Sequence, residues 1–143
     1  MNYTEVKTGM DNRAVAGNAG ELPAGYHERR KNFTGQDLFE QLVPNKKETF
    51  FFRMNGDTML FAGIMDEDIL IVDRSERNIN DKMVIAFYKG EMVVRRVEKI
   101  ANKIILISGN KTLVKEPVQE DADFEIWGVI TYVIHSFCGI RNV

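Results

Sequence analysis

The chain is poor in the residues that build cross-links and metal centres. One cysteine, Cys138, cannot form an intramolecular disulfide, which excludes a disulfide-stapled secreted scaffold. Two histidines, His27 and His135, lie far apart from each other and offer no ligand spacing of the structural zinc kind, so neither a metal nor another cofactor is expected. No basic-then-apolar leader and no long apolar run marks a signal peptide or a membrane span, so a reducing cytoplasm is the expected compartment. Excess charge of one sign is also missing. Lys and Arg number 19 against 21 Asp and Glu, a net charge of -2, which carries no bulk footprint of a duplex-DNA binder and points to protein partners.

What is present fits one domain preceded by an arm. At 143 residues the chain can bury a real core. Residues 1–25 are small and polar, as in Ala14-Val15-Ala16-Gly17-Asn18-Ala19-Gly20, too poor in apolar surface to order themselves, and read as a flexible arm before a domain at 26–143. Thr34-Gly35-Gln36-Asp37-Leu38-Phe39-Glu40-Gln41-Leu42-Val43 reads as a helix capped by Thr34, with Asp37 at the capping-box position and Pro44 just past its end. Strand signals follow at Thr49–Phe52, Ile69–Val72, Met83–Tyr88, Met92–Val94, Ile104–Ile107 and Ile126–Ile134, with a tight turn at Lys89-Gly90. Short β-branched and aromatic runs at close spacing predict a mainly β, compact barrel-like domain with one short helix rather than alternating βαβ units.

Phe52-Arg53-Met54-Asn55-Gly56-Asp57-Thr58-Met59 is a strand running into a sharp turn that ends on a hydroxyl. Gly56 permits the bend, and the backbone N–H groups of Thr58 and Asp57 are candidate donors to a developing oxyanion. Taken alone, Gly-Asp-Thr-Met is a weak signal and reads as an ordinary turn followed by core residues.

Three further segments give the turn a context: Gly63-Ile64-Met65-Asp66-Glu67-Asp68-Ile69-Leu70-Ile71-Val72-Asp73, then Met92-Val93-Val94-Arg95-Arg96-Val97, then Phe124-Glu125-Ile126-Trp127-Gly128-Val129-Ile130. In order and spacing they resemble the UmuD/LexA family of S24 peptidases, from about Tyr26 to His135. The resemblance is closest to UmuD-like members, since the arm is too short and polar for the helix-turn-helix of a repressor. It implies a LexA/UmuD C-terminal-domain fold and a self-cleaving site in which a serine hydroxyl is activated by an unprotonated lysine buried among apolar side chains. Thr58 stands at the nucleophile position and Arg95 at the general-base position. Strand alternation puts Arg95 on one face with Val93 and Val97, but a guanidinium stays charged and only donates. A degenerate site with little or no peptidase activity is therefore expected. The alternative is an active peptidase using Thr58 with another amine, such as Lys82 or Lys89, as its base.

Family members cut their own arm at a Cys-Gly or Ala-Gly bond, and Ala19-Gly20 resembles that bond better than Ala16-Gly17. The resemblance further implies a cytoplasmic homodimer acting in the SOS response and DNA repair. Its partners would be a Y-family polymerase subunit in translesion synthesis and a recombinase filament, with no sequence-specific DNA contact of its own. A phage-derived regulatory dimerisation module is the other alternative. Asp66-Glu67-Asp68 reads as a solvated acidic turn, Arg29-Arg30-Lys31 and Arg95-Arg96 as small basic clusters without interleaved aromatics, and Trp127 and Tyr132 as core or dimer interface.

Overall fold

The computed structural model describes residues 33–139. The chain divides between Pro44 and Asn45. In the first unit the helix α1 runs Gly35–Leu42. The Asp37 N–H donates to the Thr34 hydroxyl at 3.1 Å, and the Thr34 N–H donates back to the Asp37 carboxylate at 2.8 Å. These bonds hold the Asp37 carboxyl below its ordinary pKa, the Thr34 backbone bond contributing most.

The second unit is built on one antiparallel sheet: β1 (Thr49–Arg53), β2 (Ile69–Asp73), β3 (Met83–Tyr88), β4 (Glu91–Ile100), β5 (Lys103–Gly109), β6 (Leu113–Pro117) and β7 (Phe124–Ile134). Its order is β1-β2-β7-β3-β4-β5-β6, so β1 and β6 are edges and the sheet stays open. The mainly β, barrel-like expectation holds, with curvature standing in for closure. Tyr88 pairs with Glu91, whereas Glu116 aligns through Leu106 with Val97, about 20 Å further along β4 at strand rise. Yet Lys89, next to Tyr88, reaches Glu116 at 3.5 Å. Only a strongly curled sheet brings these residues together.

Strand alternation divides the core between two faces. Met83, Ile85, Val94, Trp127 and Ile130 point to one, where Met54, Met59 and Ile64 from the segment after β1 cover them. Val84, Ala86, Tyr88, Val97, Leu106 and Val129 fill the other, inside the curl. Both faces are apolar because both are covered, which explains the near-continuous hydrophobic run of β3. Register shifts lie between Ile71 and Val72 and between Ile85 and Ala86, each against β7.

Strand β6 was not expected. Its Leu113-Val114-Lys115-Glu116-Pro117 has two apolar residues, both exposed, and ends on a proline, a composition suited to a sheet edge and weak as a sequence signal.

Candidate active site

The turn after β1 is held almost entirely by backbone and buried side chains. The Met54 N–H donates to the Asp68 carbonyl and the Glu67 N–H to the Met54 carbonyl, both at 2.8 Å, which aligns the two ends of the loop. Gly56 adopts φ 98°, and its N–H donates to the Asp66 carboxylate at 2.7 Å. Met59 is fully buried, with Met54 and Ile64 nearly so. A single turn of 3-10 helix, η1 (Leu60–Ala62), carries the chain onward.

Between buried Met59 and exposed Asp57, Thr58 is pinned from the far side of the sheet. The Gly109 N–H, at the end of β5, donates to the Thr58 carbonyl at 2.6 Å. Asn110 Nδ2 donates to the Asp57 carboxylate at 2.7 Å. Among the described residues, the N–H groups of Asp57 and Thr58 and the Thr58 hydroxyl make no internal hydrogen bond.

Thr58 and Arg95 line the same groove, a cleft of about 320 Å³. Phe52, Arg53, Met54 and Asn55 stand beside Thr58, and Leu70 and Ile85 join the lining. Glu91, Met92, Val93 and Val94 belong to the wall that carries Arg95. Arg95 is half-buried on the face it shares with Val93 and Val97. Burial lowers its pKa, while Glu116, Tyr88 and Glu91 pull it back up, and Nη1 donates to the Val94 carbonyl at 2.7 Å. The guanidinium keeps its proton under any condition the fold tolerates.

Neither candidate substitute base reaches the groove lining. Lys89 lies over the Tyr88 ring at 5.0 Å and is paired with Glu116. A hydrogen bond donated to the Tyr88 hydroxyl oxygen, then the charge of Glu116, raises its pKa, the opposite of what a general base needs. Lys82 is exposed. The candidate bond Ala19-Gly20 and the arm at 1–25 lie outside the described residues, as do His27 and Arg29-Arg30-Lys31.

The acidic turn at 66–68 departs from expectation. Asp68 is 1 % exposed. Its carboxylate accepts from the Met65 N–H at 2.8 Å and lies 2.6 Å from His135 Nδ1, so it joins the loop to the end of β7. Sequence reading missed this pair, whose partners are 67 residues apart. Trp127 is half-buried between Phe50 and Phe52, each edge-on at 5.1 Å, with Arg74 over its ring at 4.3 Å.

A hydroxyl on a fixed turn, with free N–H donors and a facing strand carrying a basic residue, is the framework of a hydroxyl-nucleophile peptidase. The family described as Peptidase S24-like matches residues 12–131, and the chain belongs to it. Protein ImpA of Salmonella typhimurium is 32 % identical over 133 residues, covering 86 % of this chain and 85 % of ImpA. Protein SamA of the same species is 30 % identical over 116 residues, 80 % of each chain. The LexA repressor of Clostridioides difficile is 37 % identical over 122 residues, covering 80 % of this chain but 54 % of that repressor. Among the described residues no helix is long and apolar enough to cross a membrane.

Proposed function

We propose that this chain is a UmuD-like accessory subunit for an error-prone translesion polymerase, acting in the SOS response as a cytoplasmic homodimer with a degenerate self-cleavage site. The observation that carries the loss of catalysis is the pairing of Thr58 with Arg95 across one groove. At the nucleophile, the extra methyl of threonine restricts χ1 on a turn already fixed at its neighbours. At the base position stands a group with donors only. The similarity to ImpA over 85 % of its length and to SamA over 80 % of its length supports the UmuD-like reading. In this reading residues 1–25 form an arm carrying Ala19-Gly20, and 26–143 form the peptidase-like domain. The function is binding, to a Y-family polymerase subunit and a recombinase filament.

Intact mass followed over time tests the claim, at neutral and raised pH, with and without a recombinase filament, for the native chain and for Thr58→Ser/Arg95→Lys. The native chain is expected to keep its mass. The double variant is expected to lose its first 19 residues, faster at raised pH because its lysine must be deprotonated. Release of that fragment by the native chain would overturn the degenerate-site reading and restore Thr58 as a working nucleophile.

A further inference from the structure

We infer that the groove between Thr58 and Arg95 is a binding site for a peptide carboxylate, an inference that rests on the non-catalytic reading of those two residues. The groove's lining offers donors in the Thr58 N–H and hydroxyl and in the Arg95 guanidinium, which among the described residues spends one hydrogen bond, on the Val94 carbonyl; Glu91 is the acid in that lining. In a working peptidase such N–H groups wait for a charge that exists only in the transition state. A guanidinium in place of a neutral amine makes the positive charge permanent, and its complement is a permanent anion.

The neighbouring acids do not already fill that role. Glu116 is committed to Tyr88 and to Lys89, and Glu91, exposed on the groove wall, acts on Arg95 by charge, but among the described residues neither acid forms an ion pair with the guanidinium. The planar fork of arginine matches a carboxylate in two parallel hydrogen bonds. Phe52, Met54, Leu70, Ile85 and Val93 give the groove apolar lining, which suits peptide side chains better than a free inorganic anion. About 320 Å³ accommodates two or three residues. The carboxylate is either an acidic side chain within a peptide or the α-carboxylate at a peptide's end.

Two probe pairs, titrated into the full chain, separate these sources. Acetyl-Ala-Gly-Glu amide is compared with its Gln analogue, and acetyl-Asn-Ala free acid with its amide, reading affinity and the NMR shifts of the Thr58 N–H and the Arg95 guanidinium. In at least one pair the carboxylate is expected to bind about ten-fold tighter than its neutral twin and to move both signals. That preference should vanish in Arg95→Met, persist in weakened form in Arg95→Lys, and shrink with salt. Should Arg95→Met fail to fold, the guanidinium shift in the native chain and the behaviour of Arg95→Lys still decide. Equal affinity within both pairs, no binding of either acid, or a preference that survives Arg95→Met overturns the inference. Self-cleavage by the native chain would instead sink the non-catalytic reading, whatever the peptides do.

Discussion

The two sides of the groove are built by different means. The Thr58 side is an irregular segment whose every bend is tied down: Met54 and Glu67 to each other's strand ends, Gly56 to Asp66, Asp57 to Asn110, Thr58 to Gly109, and Met59 buried beneath. The Arg95 side is regular hairpin, positioned by β-ladder bonds to β3 that any side chain would allow. Its charges, Lys89, Glu91 and Glu116, are largely in water. A backbone-held turn keeps its shape whichever hydroxyl residue it presents. A ladder-held position keeps its place whichever basic residue it carries. The site's chemistry can therefore be replaced at two side chains while its geometry is retained.

Breaking the turn at its buried anchor should have the largest effect. Met59→Ala removes a fully buried side chain from the cluster formed with Met54, Ile64, Leu70, Val72, Ile85 and Ile130, at an expected cost of about 3 kcal/mol. Urea denaturation measures it. A loss below about 1 kcal/mol would mean the turn is held by its hydrogen bonds alone.

Gly109→Ala tests those bonds from the other side. Gly109 has φ 150°, and a Cβ there would stand 2.2 Å from the Thr112 carbonyl oxygen, so the β5–β6 turn must shift. About 2 kcal/mol is expected from strain and crowding. Because the Gly109 N–H holds the Thr58 carbonyl, amide exchange around Thr58 should rise by more than the global loss explains. Exchange that merely tracks global stability would show that the turn does not depend on β5.

The contrast between the two sides also decides what could be read from the sequence. Regular elements were legible: the cap at Thr34 and the strands with β-branched runs declare themselves through local composition. Arg95 was placed beside Val93 and Val97 by alternation alone, and the cluster around Val97 contains Val93. Contacts across the curl were not legible. Gly109 and Asn110 carry no local sign that they brace Thr58 and Asp57. Asp68 looks like its solvated neighbours Asp66 and Glu67, and only the return of β7 reveals His135 as its partner. Strand β6 was missed for a related reason, since an edge exposed to water needs little apolar pattern.

The smallest effect should come from the charges beside Arg95. A hydrogen bond from Tyr88, then Lys89, lowers the Glu116 pKa below the ordinary 4.5. A carboxylate with a depressed folded pKa contributes stability that is present above the unfolded value and is lost as pH falls through the folded one. Glu116→Gln should therefore leave a chain that matches the native one below about pH 3 and falls behind it above about pH 5. The same bond raises the Tyr88 pKa, so a second, alkaline loss is confined to the region above pH 10. With the Glu116 side chain 46 % exposed, solvent screens the pair and only a few tenths of a kcal/mol are expected, measured as the difference in urea midpoint across pH 3–7. A gap above about 1 kcal/mol would show that the hairpin side depends on its charges as the Thr58 side depends on its buried anchors. Arg95→Lys would then alter the stability of the fold along with the chemistry of its groove.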